Sequence, residues 1–139
     1  MIRIQFDCAN INWNHISETL QRVGMAFYDS ERHAMAFANS HTVVFVFDAE
    51  KLVGFGRAIS DGAYQAAIYD VAVVPEYQRQ GIGRLIIESI IECLPECNFI
   101  LYAAPGKEAF YEKLNFRKMK TSMALFMNSV KMRDKGFTE

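Results

Sequence analysis

The sequence predicts a mixed α+β domain with helices on both sides of one sheet, and three observations carry that expectation. Residues 42–74 are dense in β-branched and aromatic side chains broken by turn residues, the pattern of consecutive strands. Apolar residues at helical spacing stand before this block and return at residue 82. Beyond that helix the pattern reads strand, then helix. A run of strands followed by strand–helix–strand–helix gives a three-layer α/β/α arrangement around a mixed sheet.

Each element has its own signal. Residues 2–7 alternate apolar and polar, as a first strand does. Ile11 to Val23 carries Ile16, Leu20 and Val23 at helical spacing, with Asn12 or Asn14 as N-cap and Gly24 suited to its end. A shorter helix starts near Asp29-Ser30 and runs through Ala38, stopping at Asn39. Thr42 to Phe47 reads as a strand halted by Asp48-Ala49-Glu50-Lys51. Leu52 to Ile59 answers it, and Ser60-Asp61-Gly62-Ala63 carries the Asp-Gly signal of a hairpin. Tyr64 to Val74 is the third strand of this meander, and Pro75 ends it by removing a ladder donor. The helix from Ile82 to Cys93 is apolar on more than one side, so it is expected to lie covered by sheet and neighbours. Asn98 to Ala104 reads as a further strand, Lys107 to Leu114 as a helix, and Phe116 to Met127 as a last hairpin. Residues 128–139 are polar, and are expected to be disordered or to pack on a second subunit.

With 139 residues and no linker or repeat, a single domain over 1–139 is expected. The 51% hydrophobic and 22% charged content is that of a globular protein, and a net charge of −1 argues against a general nucleic-acid binder. No apolar run approaches the ~20 residues that span a bilayer, and Met1 to Asp7 alternates like a strand rather than a signal peptide. A cytoplasmic protein without membrane attachment is the expectation. Cys8, Cys93 and Cys97 form neither a disulfide framework nor a zinc set, and three separated histidines make no metal site.

The chemistry is carried by Gln78-Arg79-Gln80-Gly81-Ile82-Gly83, which joins the strand Ile68–Val74 to the helix at Ile82. Glycines let backbone approach a ligand, and the first N–H groups of a helix point at it, which together suit a phosphate. The Gly-Lys-Ser/Thr ending of a P-loop is absent, and so is the third glycine of a dinucleotide fingerprint. The pattern Gln/Arg-x-x-Gly-x-Gly/Ala does fit, and it resembles the pyrophosphate loop of the GCN5-related N-acetyltransferases. A second segment, Phe110-Tyr111-Glu112-Lys113-Leu114-Asn115-Phe116, is similar to that family's later motif, with Asn115 where glycine is usual. Asn also tolerates the left-handed conformation of a helix end. The resemblance covers roughly residues 41–127.

The resemblance implies the GNAT fold, with a splayed pair of central strands at Ile68–Val74 and Asn98–Ala104. It implies acetyl-CoA as acetyl donor, with no metal. The pantetheine arm would pair with the backbone of Val71 and Val73, and the pyrophosphate would take Arg79, Gln80, Gly81, Ile82, Gly83 and Arg84. Tyr111 holds the position of the acid that protonates the departing thiolate. A primary amine is almost wholly protonated at neutral pH, so something must accept its proton. Histone-acetylating relatives place a Glu on the strand before the loop, and its counterpart here is Ala67. Asp70 is the nearby carboxylate and the candidate base; Asp61, Glu31 and His33 are others expected within reach of the pocket.

Phe27, Tyr28, Met35, Phe37 and Tyr64 beside Asp29, Glu31 and Asp61 suit a small amine bearing an apolar group. The run from Asp61 to Val71 is also similar to the plant serotonin N-acetyltransferase branch. The expected acceptor is therefore a small-molecule amine. A protein lysine or N-terminus is the alternative acceptor, and a non-catalytic acyl-CoA sensor is the alternative class. A homodimer is an expectation from the family alone.

Overall fold

The computed structural model describes residues 1–139, the whole chain. Its backbone gathers into two compact units, Met1–Leu101 and Tyr102–Glu139, described in turn.

The first unit holds one five-stranded sheet in the order β1-β2-β3-β4-β5. Strands β1 (Ile2–Gln5), β2 (Thr42–Asp48), β3 (Lys51–Ser60) and β4 (Gln65–Val73) pair antiparallel in sequence, and β5 (Asn98–Ile100) joins β4 in parallel. Short turns join β2 to β3 and β3 to β4, whereas β1 reaches β2 across residues 6–41. The crossover helix α3 (Ile82–Cys93) makes the parallel pair possible. The β3–β4 turn forms as its Asp-Gly signal predicts: Asp61 Oδ1 accepts from the N–H groups of Ala63, Tyr64 and Gln65 at 2.8, 2.9 and 3.1 Å.

Helices α1 (Trp13–Arg22) and α2 (Ser30–Ala38) begin at Asn12 and Asp29, whose side chains accept from His15 N–H and Arg32 N–H. They bring Ile16, Leu20 and Phe37 onto Val43, Phe45, Phe47, Leu52, Phe55 and Ala72. Leu52 and Phe55 are three apart yet share that face, because a bulge opposite Val46/Phe47 inserts Val53. Trp13 closes the edge of this core against Phe37 and Phe45, with ring centroids at 5.5 and 6.0 Å.

Strand alternation turns Gly54 and Gly56 to the opposite face, and there α3 comes down on β3. A Cβ at Gly56 would stand 2.8 Å from Ile86 Cγ2, and one at Gly54 would stand 3.0 Å from both Ile82 and Ile86 side chains. The absent side chains are therefore what lets α3 sit so close. Helix–sheet–helix is the three-layer order the periodicity predicts.

In the second unit, α4 (Glu108–Glu112) ends with Phe116 N–H donating back to Tyr111 O at 3.1 Å, while Asn115 takes φ 72°. That is the left-handed helix end expected of Asn115. Helix α5 (Ser129–Asp134) is capped by Asn128, whose side chain accepts from Lys131 N–H, so the polar tail contains a helix. Tyr102 meets Phe126 and Phe137 edge-on at 5.5 and 5.9 Å.

Two sequence expectations need correction. The strand expected over Asn98–Ala104 stops at Ile100, and the hairpin expected over Phe116–Met127 does not form. Alternation in the second case is real: Met123, Leu125 and Met127 are all fully or nearly fully exposed while Phe126 packs on Tyr102. Alternation specifies a face, however, and not the neighbour that completes a ladder.

Candidate active site

The loop between β4 and α3 starts from a short 3₁₀ turn, Pro75–Tyr77, that is fastened from outside. Tyr77 Oη donates to Asp48 Oδ2 at 2.8 Å, and Arg22 pairs with Glu76 at 2.7 Å. The Gln78 amide donates to Val73 O at 3.0 Å, tying the loop to the strand it leaves. Arg79 then takes φ 64° and Gly81 φ 83°, and Gly81 is the N-cap of α3. No side chain caps the helix and no acid stands in its first turn, so its leading N–H groups and positive dipole end are left for an anion. Ile82, Gly83 and Arg84 supply that turn. Arg84 itself pairs with Glu88 at 2.8 Å, one helical turn on.

The strand feeding this loop has one open side. β5 pairs with β4 only at Gln65, Ala66 and Ala67, while β3 pairs with it from Ala66 to Val73. Between them lies a bulge: Phe55 faces Ala72 and Arg57 faces Tyr69, so Asp70 and Val71 together oppose Gly56. Asp70 takes φ 57°, a conformation Asp adopts more readily than most residues. The bulge reverses which way the backbone points. Gln65 O accepts from Asp61 N–H, so the odd residues below the bulge face β3. Val74 N–H donates to Val53 O, so above it the even residues face β3 and Val71 and Val73 face outward. Of these outward groups, Val73 O already accepts from Gln78.

Asp70 does not stand alone. Its Oδ2 accepts from Arg57 Nε at 2.8 Å, with both side chains largely covered. Arg57 also donates to Ser40 Oγ at 3.3 Å and lies over the rings of Phe37 and Tyr69. Nearby, His33 is 3% exposed and its Nε2 accepts from Tyr28 N–H at 2.9 Å. Burial holds the His33 imidazole below its ordinary value, and the charges of Asp70, Arg57, Asp29 and Arg32 act on it less. Asp61 is committed to its turn, where three N–H groups lower its carboxyl. Glu31 is exposed in the first turn of α2.

Within the second unit, Tyr111 is half-buried between Phe110 and Phe116, at 5.0 and 5.8 Å between ring centroids. Burial pushes its phenol above the ordinary 10.0, so it carries its proton at neutral pH. No helix of the chain is long and apolar enough to cross a membrane.

Residues 39–118 match the acetyltransferase (GNAT) domain family. The chain belongs to that family. It is thus an acetyltransferase, of a family that uses acetyl-CoA as co-substrate. An uncharacterized N-acetyltransferase of Pyropia yezoensis is 32% identical over 116 residues, 78% of this chain and 67% of its relative. A serotonin N-acetyltransferase 2 (chloroplastic) of Oryza sativa subsp. japonica is 35% identical over 109 residues, 73% of this chain but 54% of the rice protein. Among solved structures, a GNAT acetyltransferase of Streptococcus pneumoniae superposes with a TM-score of 0.77 at 22% identity, covering 93% of this chain and 99% of that one. The acetyltransferase loop and open β4 edge fit the co-substrate by their own chemistry, an uncapped helix start beside unpaired strand amides.

Four contributors to the site are missed by the sequence reading: Arg57, Gly54, Gly56 and Tyr77. The glycines had a signal. Gly54-Phe55-Gly56 interrupts an otherwise strand-like run, and glycine inside a strand marks a close backbone approach. Arg57 and Tyr77 had none, since an ion pair across a bulge is invisible before the register is known.

Proposed function

We propose that this acetyltransferase moves the acetyl group of acetyl-CoA directly onto the primary amine of a small molecule. The observation that carries the reading is the β4 edge. Its amides at Val71 and Val73 face outward beside a loop with an uncapped helix start. An amide-bearing pantetheine arm pairs there as an added strand would, and its pyrophosphate takes the N–H groups of Gly81, Ile82, Gly83 and Arg84, with the Arg79 and Gln80 backbone completing the loop.

The amine nitrogen, once deprotonated, attacks the acetyl carbonyl carbon and forms the C–N bond. Val71 N–H stabilises the oxyanion of the tetrahedral intermediate. The C–S bond then breaks, and the thiolate takes a proton from the Tyr111 phenol. Asp70 receives the amine proton, directly or through water. Support for a small acceptor comes from the segment joining α1 to α2 and from α2 itself. Phe27, Tyr28 and Met35 stand 47%, 47% and 67% exposed there, with the Arg32 guanidinium 4.2 Å over the Tyr28 ring. The rice relative is named for serotonin, an aromatic body with an aminoethyl arm.

Release of CoA thiol from acetyl-CoA, followed across arylalkylamines, polyamines, amino sugars and lysine peptides, tests this. Amine-dependent release with an arylalkylamine is expected. Release with lysine peptides alone would overturn the small-molecule reading, and acetyl-CoA binding without any release would favour a sensor.

A further inference from the structure

Arg57 lies on β3, away from the loop, and no motif includes it. Its guanidinium nevertheless gathers three elements: Ser40 and Phe37 at the end of α2, its own strand, and Asp70 at the β4 bulge. The bulge decides which way Val71 and Val73 point, and Asp70 is the bulge residue at positive φ. A bulge is a place where ladder hydrogen bonds are missing, so something else must fix its geometry. Here that is a largely covered, charge-assisted hydrogen bond at 2.8 Å.

We infer that Arg57 is a positioning residue for acetyl transfer: by holding Asp70, it sets the bulge that aims the Val71 and Val73 amides at the co-substrate. The inference rests on the reading that acetyl-CoA pairs along this edge. It also assigns α2 a part in that geometry, since Ser40 and Phe37 steady the same guanidinium.

The test compares wild type with Arg57→Gln and Asp70→Gly. Glycine accepts the positive φ without strain, so Asp70→Gly removes the tether while leaving the backbone conformation permitted. Amide exchange followed by NMR in the ligand-free protein is the first readout. In both variants the Tyr69 and Ala72 amides, which face β3 on either side of the bulge, are expected to exchange about tenfold faster, with the Val44 and Val46 amides of β2 unchanged, because only local opening is affected. In Arg57→Gln, kcat for acetyl transfer is expected to fall by up to about 10²-fold, the cost of an ångström of misplacement. Exchange at Tyr69 and Ala72 equal to wild type in either folded variant would overturn the inference. So would acceleration spread evenly over the sheet, the mark of a merely structural pair. Should Arg57→Gln not fold, Asp70→Gly decides alone. Calorimetric titration of wild type with acetyl-CoA keeps the two readings apart: failure to bind refutes the proposed function, while the exchange result still judges Arg57.

Discussion

Gly56 of β3 lies directly under Ile86 of α3, with room for a hydrogen and no more: a Cβ there would come 2.8 Å from Ile86 Cγ2. Ile86 is fully buried and β-branched, so it has no empty rotamer into which to retreat. Gly56→Ala is therefore expected to destabilise the fold by about 1–3 kcal/mol, the usual cost of overpacking. Denaturant unfolding measures it. Lifting α3 also lifts the loop at its N-terminus, so the affinity for acetyl-CoA should fall in the same variant.

Gly81 separates conformational cost from ligand contact. Its φ is 83°, yet a Cβ there would meet nothing within 4 Å. Gly81→Ala should cost about 1–2 kcal/mol from the left-handed conformation alone. Any loss of acetyl-CoA affinity beyond that reports the close approach of a pyrophosphate to the backbone. Thermal unfolding with and without acetyl-CoA yields both quantities.

Tyr111 is the proposed proton donor, and its phenol is raised by burial. Tyr111→Phe keeps the ring that packs against Phe110 and Phe116 but removes the hydroxyl. A fall in kcat of roughly 10²-fold with the fold intact is expected, the low end for lost acid catalysis. Unchanged turnover would remove Tyr111 from the mechanism.

His33 gives a pH signature of stability. Its folded value lies below the ordinary 6.5, so the unfolded chain binds a proton more readily than the folded one. The contribution to stability is fully present above pH 6.5 and is lost as pH falls through the lowered folded value. Protonation also places a hydrogen on Nε2, which now accepts from Tyr28 N–H. His33→Gln should flatten the stability-versus-pH curve below that point, as read by urea midpoints across the range.

Much of this is legible in the sequence because it is local. Helix α3 runs from Ile82 to Cys93 as its apolar pattern and the glycines before it predict, and Asp61-Gly62 makes the hairpin it announces. Asn115 closes its helix in the left-handed region. What the sequence hid depends on partners distant in the chain. Nothing in Arg57 or Asp70, thirteen residues apart, reveals that a bulge lets them meet. Phe116 to Met127 shows the reverse failure: its alternation is strand-like, but no neighbour completes the ladder.

The exposed row at Met119, Met123 and Met127 belongs to a wider fact: none of the seven methionines lies in the buried core. Leu, Ile, Val and Phe fill the interior instead, and the thioethers are left at the periphery. An oxidant can thus reach the exposed ones, Met1, Met35, Met119, Met123 and Met127, without first opening the fold, and their conversion to sulfoxides makes the surface more polar while the packed interior keeps its shape. Oxidative damage in this chain should therefore register as changed association and solubility well before it registers as unfolding.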